Sequence, residues 1–319
     1  MGADFLGRDV VSIDDFSRED FDFVIQLADE IKRAPARFSD VMRGRTLMPL
    51  FFENSTRTNM SFQMAMLQMG GSVGDFDKDT SSLKKGESLK DTLKMVGGYR
   101  PDLVVMRHYR DGAARFAADV LDCPLINAGD GKNQHPTQTM LDLMSVKEIC
   151  GAVEGVEIAF VGDLKYGRTV HSLAVALSLY RNCRIYFVSP DSLKMPSEFL
   201  DLLKEKGVSF SEHGLGDLGD ICKRVGVLYM TRIQRERFPE GAEGEQEYDL
   251  IKSVYCLKKE MLADVRSGFK VLHPLPKVFE IESEVDEMDC AYYYEQAANG
   301  MHVRKALLQL LVGGRTLDG

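Results

Sequence analysis

Between residues 17 and 34 apolar side chains recur every three or four positions. Phe21, Val24, Ile25, Leu27, Ala28 and Ile31 fall on one stripe, with charged residues between them. That period predicts an amphipathic helix with one buried face. Ser17 stands where an N-cap belongs, Asp20 where the acid of a capping box belongs, and Pro35 ends the run. The pattern then changes to a short apolar block, residues 46–52, which reads as a strand. Pro49 inside it has no N–H to offer a neighbour, so an edge position or a bulge is expected there.

The alternation of strand and helix continues to the end of the chain. After the polar, aperiodic stretch 75–88, helices are expected at 89–96, 113–121 and 135–150, and strands at 102–106 and 124–127. A second series follows: strands at 157–162, 184–188, 225–230 and 269–272. Helices fall at 168–180, 197–206, in a segment running to Asp264, and at 296–311. Regular alternation of this kind builds parallel sheets covered by helices. The fold expected is α/β with two domains, each a mostly parallel sheet flanked by helices, and with the active site between them. The boundaries expected are residues 1–145, completed by the C-terminal helix and tail 296–319, and residues 146–295.

Composition narrows the class. A chain of 319 residues is about twice a typical domain. With 44% hydrophobic and 28% charged residues it is neither disordered nor fibrous. The formal net charge of -9 argues against nucleic acid as a partner and makes any basic cluster a local feature. The six cysteines are scattered, without C-x-x-C spacing, and read as free thiols in a reducing compartment. The N-terminal residues lack the apolar core of a secretion signal, and no run approaches the ~20 apolar residues that span a bilayer. A cytoplasmic protein without a membrane partner is expected.

Chemistry-bearing residues collect where strands end. Phe51-Phe52-Glu53-Asn54-Ser55-Thr56-Arg57-Thr58 closes the first strand and opens a helix. A helix start offers unpaired backbone N–H groups and about half a positive charge to an anion. Ser55 or Thr56 can cap that helix, and Arg57 adds an always-ionised fork. An ordinary capped helix would leave the same trace, so the turn alone does not decide. Arg107 follows another strand, His135 and Gln138 a third, Arg232 and Gln234 a later one, and His273 the last. Ligands of open α/β sheets sit outside the carboxyl ends of the strands. Counting also Lys85 and Arg168, the basic residues exceed what one phosphate requires, so two anions are expected.

These segments resemble the carbamoyltransferase family. Phe51-x-Glu53-x-Ser55-Thr56-Arg57-Thr58 is similar to its carbamoyl-phosphate signature. Lys84-Lys85-Gly86-Glu87, Met106-Arg107-His108, Asn127-Ala128-Gly129-Asp130-Gly131 and His135-Pro136-Thr137-Gln138 follow in the family's order. So do Gly162-Asp163-Leu164-Lys165-Tyr166-Gly167-Arg168-Thr169, Thr231-Arg232-Ile233-Gln234 and His273-Pro274-Leu275-Pro276. The resemblance spans nearly the whole chain. It implies transfer of the carbamoyl group of carbamoyl phosphate to an amino acid, without metal or other cofactor. The alternatives within the family are aspartate and ornithine. The ornithine branch carries a cysteine where Pro274 stands, and Arg232-x-Gln234 suits an acidic amino acid, so aspartate is the acceptor expected. The product is then N-carbamoyl-L-aspartate, made in de novo pyrimidine biosynthesis.

The same resemblance implies roles. Ser55, Thr56, Arg57 and Thr58 hold the phosphate; Thr58, Arg107 and His135 polarise the carbonyl. Gln138 and the backbone carbonyls around Leu275 and Pro276 accept from the carbamoyl NH2. Arg168, Arg232 and Gln234 bind the aspartate carboxylates. Ser81 and Lys85 reach into the site of an adjacent subunit, making the active unit a homotrimer with shared sites. Ser81-Ser82-Leu83 departs from the family pattern, in which Leu and Gly precede the two lysines. Glu53 and Arg237 are implied as domain-closing groups. Nucleotide feedback would need a separate regulatory chain, because nothing here resembles a nucleotide sensor. A dehydrogenase would share the alternation, but residues 162–167 are not G-x-G-x-x-G and no P-loop occurs.

Overall fold

The computed structural model describes residues 4–77, 86–233, 235, 241, 245–246, 248–249, 251–252 and 255–313. Two compact units emerge, Met1–Leu141 with Ala298–Gly319, and Asp142–Ala297. The helices Pro136–Cys150 and Tyr293–Leu308 each run from one unit into the other.

In the first unit the strands are β1 (Thr46–Phe51), β2 (Ser72–Val73), β3 (Leu103–His108) and β4 (Leu125–Asp130). They pair in parallel in the order β2-β1-β3-β4. The helices between and around them are α1 (Arg18–Arg33), α2 (Thr56–Gln68), α3 (Leu89–Gly98), α4 (Ala113–Val120) and α5 (Pro136–Cys150). Every residue of β4 is buried, so both faces of that strand are covered, as parallel sheets require. Leu50, Leu93, Val104, Met106, Ala114, Ala117 and Leu125 form the core of this sheet. Burying each of the larger side chains stabilises the fold by about 1.5–3 kcal/mol.

Helix α1 forms as its pattern predicts. Ser17 caps it, Asp20 returns the bond, and all six expected apolar residues are buried. Pro49 is neither in an edge strand nor in a bulge, because β1 has neighbours on both sides. Alternate residues of β1 face β2, and β2 pairs only with Thr46 and Leu47. Past Leu47 that side of the strand is open, so the missing N–H of Pro49 breaks no ladder bond.

The second unit holds β5 (Glu157–Val161), β6 (Arg184–Val188), β7 (Ser209–His213), β8 (Val227–Met230) and β9 (Lys270–Leu272). These too are parallel, in the order β7-β6-β5-β8-β9. The helices are α6 (Arg168–Leu177), α7 (Ser197–Glu205), α8 (Leu218–Arg224) and α9 (Tyr293–Leu308), the last running into a π-helical turn, Gln309–Gly313. In the helical segment expected up to Asp264, the described residues 245, 246, 248, 249, 251 and 252 are helical, and Lys259–Leu262 forms a 3₁₀ turn.

Among the described residues, strands β2 and β7 and helix α8 lie outside the sequence-based expectation. β7 is polar because it is an edge strand, α8 is short and contains Gly219, and β2 is two residues long. A buried polar chain ties the second unit together. Asp142 on α5 accepts from the Tyr229 hydroxyl of β8 (2.8 Å) and from Gln296 of α9 (2.6 Å). Gln296 in turn accepts from the backbone N–H of His273, just beyond β9 (2.8 Å). Among the described residues no helix is long and apolar enough to cross a membrane.

Candidate active site

Strand order points to where ligands sit. In the first sheet, β1 has β2 on one side and β3 on the other; in the second, β5 separates β6 from β8. These are the places where the winding reverses, and the crevice outside the strand ends opens there. The residues leaving β1, β3, β5 and β8 are those the sequence singled out.

In the first unit the chain leaves β1 through Phe52-Glu53-Asn54 and enters α2 at Thr56. Ser55, one of the two residues expected as a possible cap, occupies the N-cap, but its hydroxyl makes no capping bond. The amides of the first turn have no intrahelical partners, so they remain donors for an anion. Thr58 is buried, while Arg57 is exposed. Phe51 of β1 is in register with Arg107 of β3, which brings Arg107 beside the same turn. Arg107 donates to the Ala128 carbonyl (3.2 Å) and lies 3.1 Å from the Glu53 carboxylate. Its Nε is buried without a partner among the described residues. Burial lowers the affinity of Arg107 for its proton, Glu53 opposes that, and the positive field of Arg57 adds to it. An arriving dianion would relieve that repulsion.

His135 is buried immediately before α5, with Nδ1 3.4 Å from the Thr137 hydroxyl, and Gln138 lies in the first turn of that helix. The turn leading to them is held by Asn127 and Asp130. Asn127 Nδ2 donates to Val11 O and to Asp130 Oδ1 (2.9 Å each), and Asn127 Oδ1 accepts from Gly129 N–H (2.8 Å). Asp130 also accepts from Gly112 and Gln134 amides (3.0 and 3.1 Å). Gly131 has φ +53°, and a Cβ there would fall 1.9 Å from the Asp111 carboxylate, so only glycine fits.

In the second unit Arg168 is the first residue of α6 and Arg232 comes after β8, one residue past Thr231; both are half-buried. Gly167, ahead of Arg168, has no room for a Cβ, which would meet Asp163 O at 2.4 Å. Leu275 and Pro276 follow β9, with Leu275 at φ +53°. The Leu275 N–H donates to His273 Nδ1 (2.8 Å), and His273 Nε2 faces Glu280 at 2.8 Å, both side chains fully buried. With Nδ1 accepting, the ring carries its proton on Nε2. The other Glu280 oxygen accepts from Val278 and Phe279 amides (3.1 and 3.0 Å). Burial alone would raise the Glu280 carboxyl, but hydrogen bonding and the His273 interaction outweigh it and hold it below the usual glutamate range.

Ser55, Thr56, Arg57, Thr58, Arg107, His135 and Gln138 therefore belong to the first unit. Arg168, Arg232, Leu275 and Pro276 belong to the second. Ser81, Lys85, Gln234 and Arg237 lie outside the described residues. Sequence reasoning gave no role to the residues whose hydrogen bonds hold these turns: Asn127, Asp130 and Glu280. Only the first two carried a signal, as polar residues in an Asn-Ala-Gly-Asp-Gly turn.

The chain belongs to the aspartate/ornithine carbamoyltransferase family. The family's carbamoyl-phosphate-binding domain matches residues 8–148 and its aspartate/ornithine-binding domain matches residues 154–311. Within it, the chain is 49% identical over 313 residues to the aspartate carbamoyltransferase catalytic subunit of Thermococcus kodakarensis, covering 97% of this chain and 98% of that protein. The corresponding subunit of Chromobacterium violaceum is 48% identical over 306 residues, with 96% and 98% covered. Among solved structures, Trypanosoma cruzi aspartate transcarbamoylase in complex with carbamoyl phosphate and aspartate superimposes with a TM-score of 0.90 at 36% identity, covering 98% of each chain. The catalytic subunit of M. jannaschii aspartate transcarbamoylase gives 0.88 at 41% identity, covering 97% of this chain and 99% of that one.

Proposed function

We propose that this chain transfers the carbamoyl group of carbamoyl phosphate to the α-amine of L-aspartate, yielding N-carbamoyl-L-aspartate and phosphate. The observation that carries this reading is the division of cations between two strand reversals. Arg57, Arg107 and the α2 amides serve one anion in the first unit, and Arg168 and Arg232 serve another in the second. The close relatives named aspartate carbamoyltransferase, and the solved relative holding carbamoyl phosphate and aspartate, support the same acceptor.

In this reading Ser55, Thr56, Arg57 and Thr58 bind the phosphoryl group through hydroxyls, helix-end amides and guanidinium. Thr58, Arg107 and His135 donate to the carbonyl oxygen, where charge builds as the amine attacks. One such donor commonly lowers the barrier by ~3 kcal/mol. Gln138 and the carbonyls of Leu275 and Pro276 accept from the carbamoyl NH2. Arg168, Arg232 and Gln234 take the two carboxylates of aspartate. The amine nitrogen bonds to the carbamoyl carbon, the carbon–oxygen bond to phosphate breaks, and the departing phosphate takes the amine proton. Orienting the two reactants contributes up to ~7–11 kcal/mol.

The active unit in this reading is a homotrimer in which Ser81 and Lys85 complete a neighbour's site. The name "catalytic subunit" carried by the relatives supports an assembly and leaves room for a regulatory chain. An exposed apolar stripe on α2 supports it too: Met60, Met64 and Leu67, on one helical face, are 58%, 41% and 51% exposed. Six free cysteines fit the reducing cytoplasm as the compartment.

The test measures phosphate release from carbamoyl phosphate with aspartate, with ornithine, or with neither. Release only with aspartate is expected; release with ornithine alone overturns the acceptor. For the shared site, mixing Arg57→Ala and Lys85→Ala chains should restore part of the activity through hybrid trimers, and mixtures that stay inactive overturn it.

A further inference from the structure

The phenol of Tyr255 is fully buried at the carboxyl ends of the two central strands of the second unit, and no step of the reaction above uses it. It lies 2.9 Å from Val161 O, at the end of β5, and within hydrogen-bond distance of Thr231 O, just past β8. Two donors already reach Val161 O: the Thr231 N–H (2.9 Å) and the Thr231 hydroxyl (2.9 Å). A carbonyl has two lone pairs, so the phenolic proton belongs to Thr231 O. Burial pushes the Tyr255 phenol far above its ordinary range, which keeps it a donor at any physiological pH.

The Thr231 carbonyl is part of the peptide plane that carries the nitrogen of Arg232. Fixing that oxygen fixes the rotation of the plane, and with it the direction in which the Arg232 side chain leaves the backbone. The Thr231 hydroxyl is linked to the turn that precedes the other arginine. It accepts from the Asp163 N–H (2.9 Å), and the Asp163 carboxylate accepts from the Tyr166 N–H (2.9 Å) in the turn that delivers Arg168. Gly162 completes the clamp. Its φ is +114°, and a Cβ would lie 2.2 Å from the Tyr255 oxygen and 2.6 Å from the Thr231 hydroxyl.

We propose that Tyr255, acting through Thr231, is a positioning residue that sets the spacing of Arg232 and Arg168 and thereby fits the site to a dicarboxylate of aspartate's length. The inference rests on the reading in which these two arginines bind aspartate.

Tyr255→Phe removes one oxygen from an otherwise unchanged ring and leaves a buried carbonyl without its donor. Such a loss corresponds to about a tenfold weakening. The expected result is an aspartate KM raised about tenfold, with kcat and the carbamoyl-phosphate KM within about twofold. The preference for aspartate over glutamate, one methylene longer, should narrow. Thr231→Val should move the aspartate KM in the same direction, and Thr231→Ser should restore it, which keeps the proposal testable if Tyr255→Phe does not fold. An unchanged aspartate KM in folded Tyr255→Phe, or equal losses in kcat and in both KM values, overturns the proposal. Arg232→Ala separates the two levels. If it leaves aspartate KM unchanged, the aspartate reading falls and the positioning role with it. If it raises that KM while Tyr255→Phe does not, the positioning role alone is wrong.

Discussion

In the proposed reading the two strand-reversal sites solve the same problem, holding an anion, by different means. In the first unit backbone geometry does most of the work. A helix of 13 residues begins at the strand end, and its first amides and dipole face outward whatever the surrounding side chains are. Arginine reinforces a donor set that the fold already provides. The second unit relies on side chains. Arg168 and Arg232 sit on separate excursions from β5 and β8, and their placement depends on a buried set of hydroxyls and carbonyls beneath them. A backbone anion site tolerates loss of a supporting group, whereas a side-chain site is only as accurate as its scaffold. The contrast suits the two ligands. A phosphoryl group is compact and nearly symmetric, whereas a dicarboxylate must be measured at two points.

Arg107→Ala tests the first half most severely. It removes a donor to the developing oxyanion and uncovers Glu53, so kcat should fall about 10²–10³-fold in a colorimetric assay of carbamoyl-aspartate. A fall of less than about tenfold would mean that the backbone donors suffice alone. Arg232→Ala tests the second half. Loss of a charged hydrogen bond to a carboxylate should raise the aspartate KM about 10–100-fold while carbamoyl-phosphate binding, followed by calorimetry, stays unchanged.

Glu280→Gln asks whether scaffold and site can be separated in the second unit. It replaces one carboxylate oxygen with an NH2 donor, which must then face either the His273 Nε2–H or the two backbone amides, and should lower unfolding free energy by about 1–3 kcal/mol in a urea titration. The pH dependence follows from the sign. The folded-state value of Glu280 lies below its ordinary one, so its contribution is complete above the usual glutamate range and is lost as pH falls through the depressed value. The variant should lose that acid-side slope. Asp40→Asn, at the exposed pair with Arg43, belongs to neither site and should change stability by less than about 0.5 kcal/mol.

Much of the framework was legible along the chain. Helix α1 was marked by its stripe, its capping box and its terminal proline, because each of those signals is local. Strands β3, β5 and β8 were visible as apolar runs, since parallel strands covered on both faces need no polar alternation. Strand β7 was not, because at a sheet edge half its positions meet water. Pro49 misled, since its tolerance depends on how short β2 is, a property of the neighbour and not of β1. Among site residues, those at strand ends declared themselves by charge. Tyr255 and Glu280 did not, because a buried phenol or carboxylate has the same appearance in sequence as an exposed one.

The sequence by itself determined which residue types could bind anions and that they would emerge at the ends of parallel strands, because periodicity, capping and charge act over a few positions. The tertiary structure alone decided which strand ends adjoin, that Arg107 lies beside Glu53, and that a phenol 24 residues beyond Thr231 in the chain holds the peptide joining Thr231 to Arg232. Those relations depend on strand order and on the pairing of buried donors with acceptors, which only the packed molecule specifies.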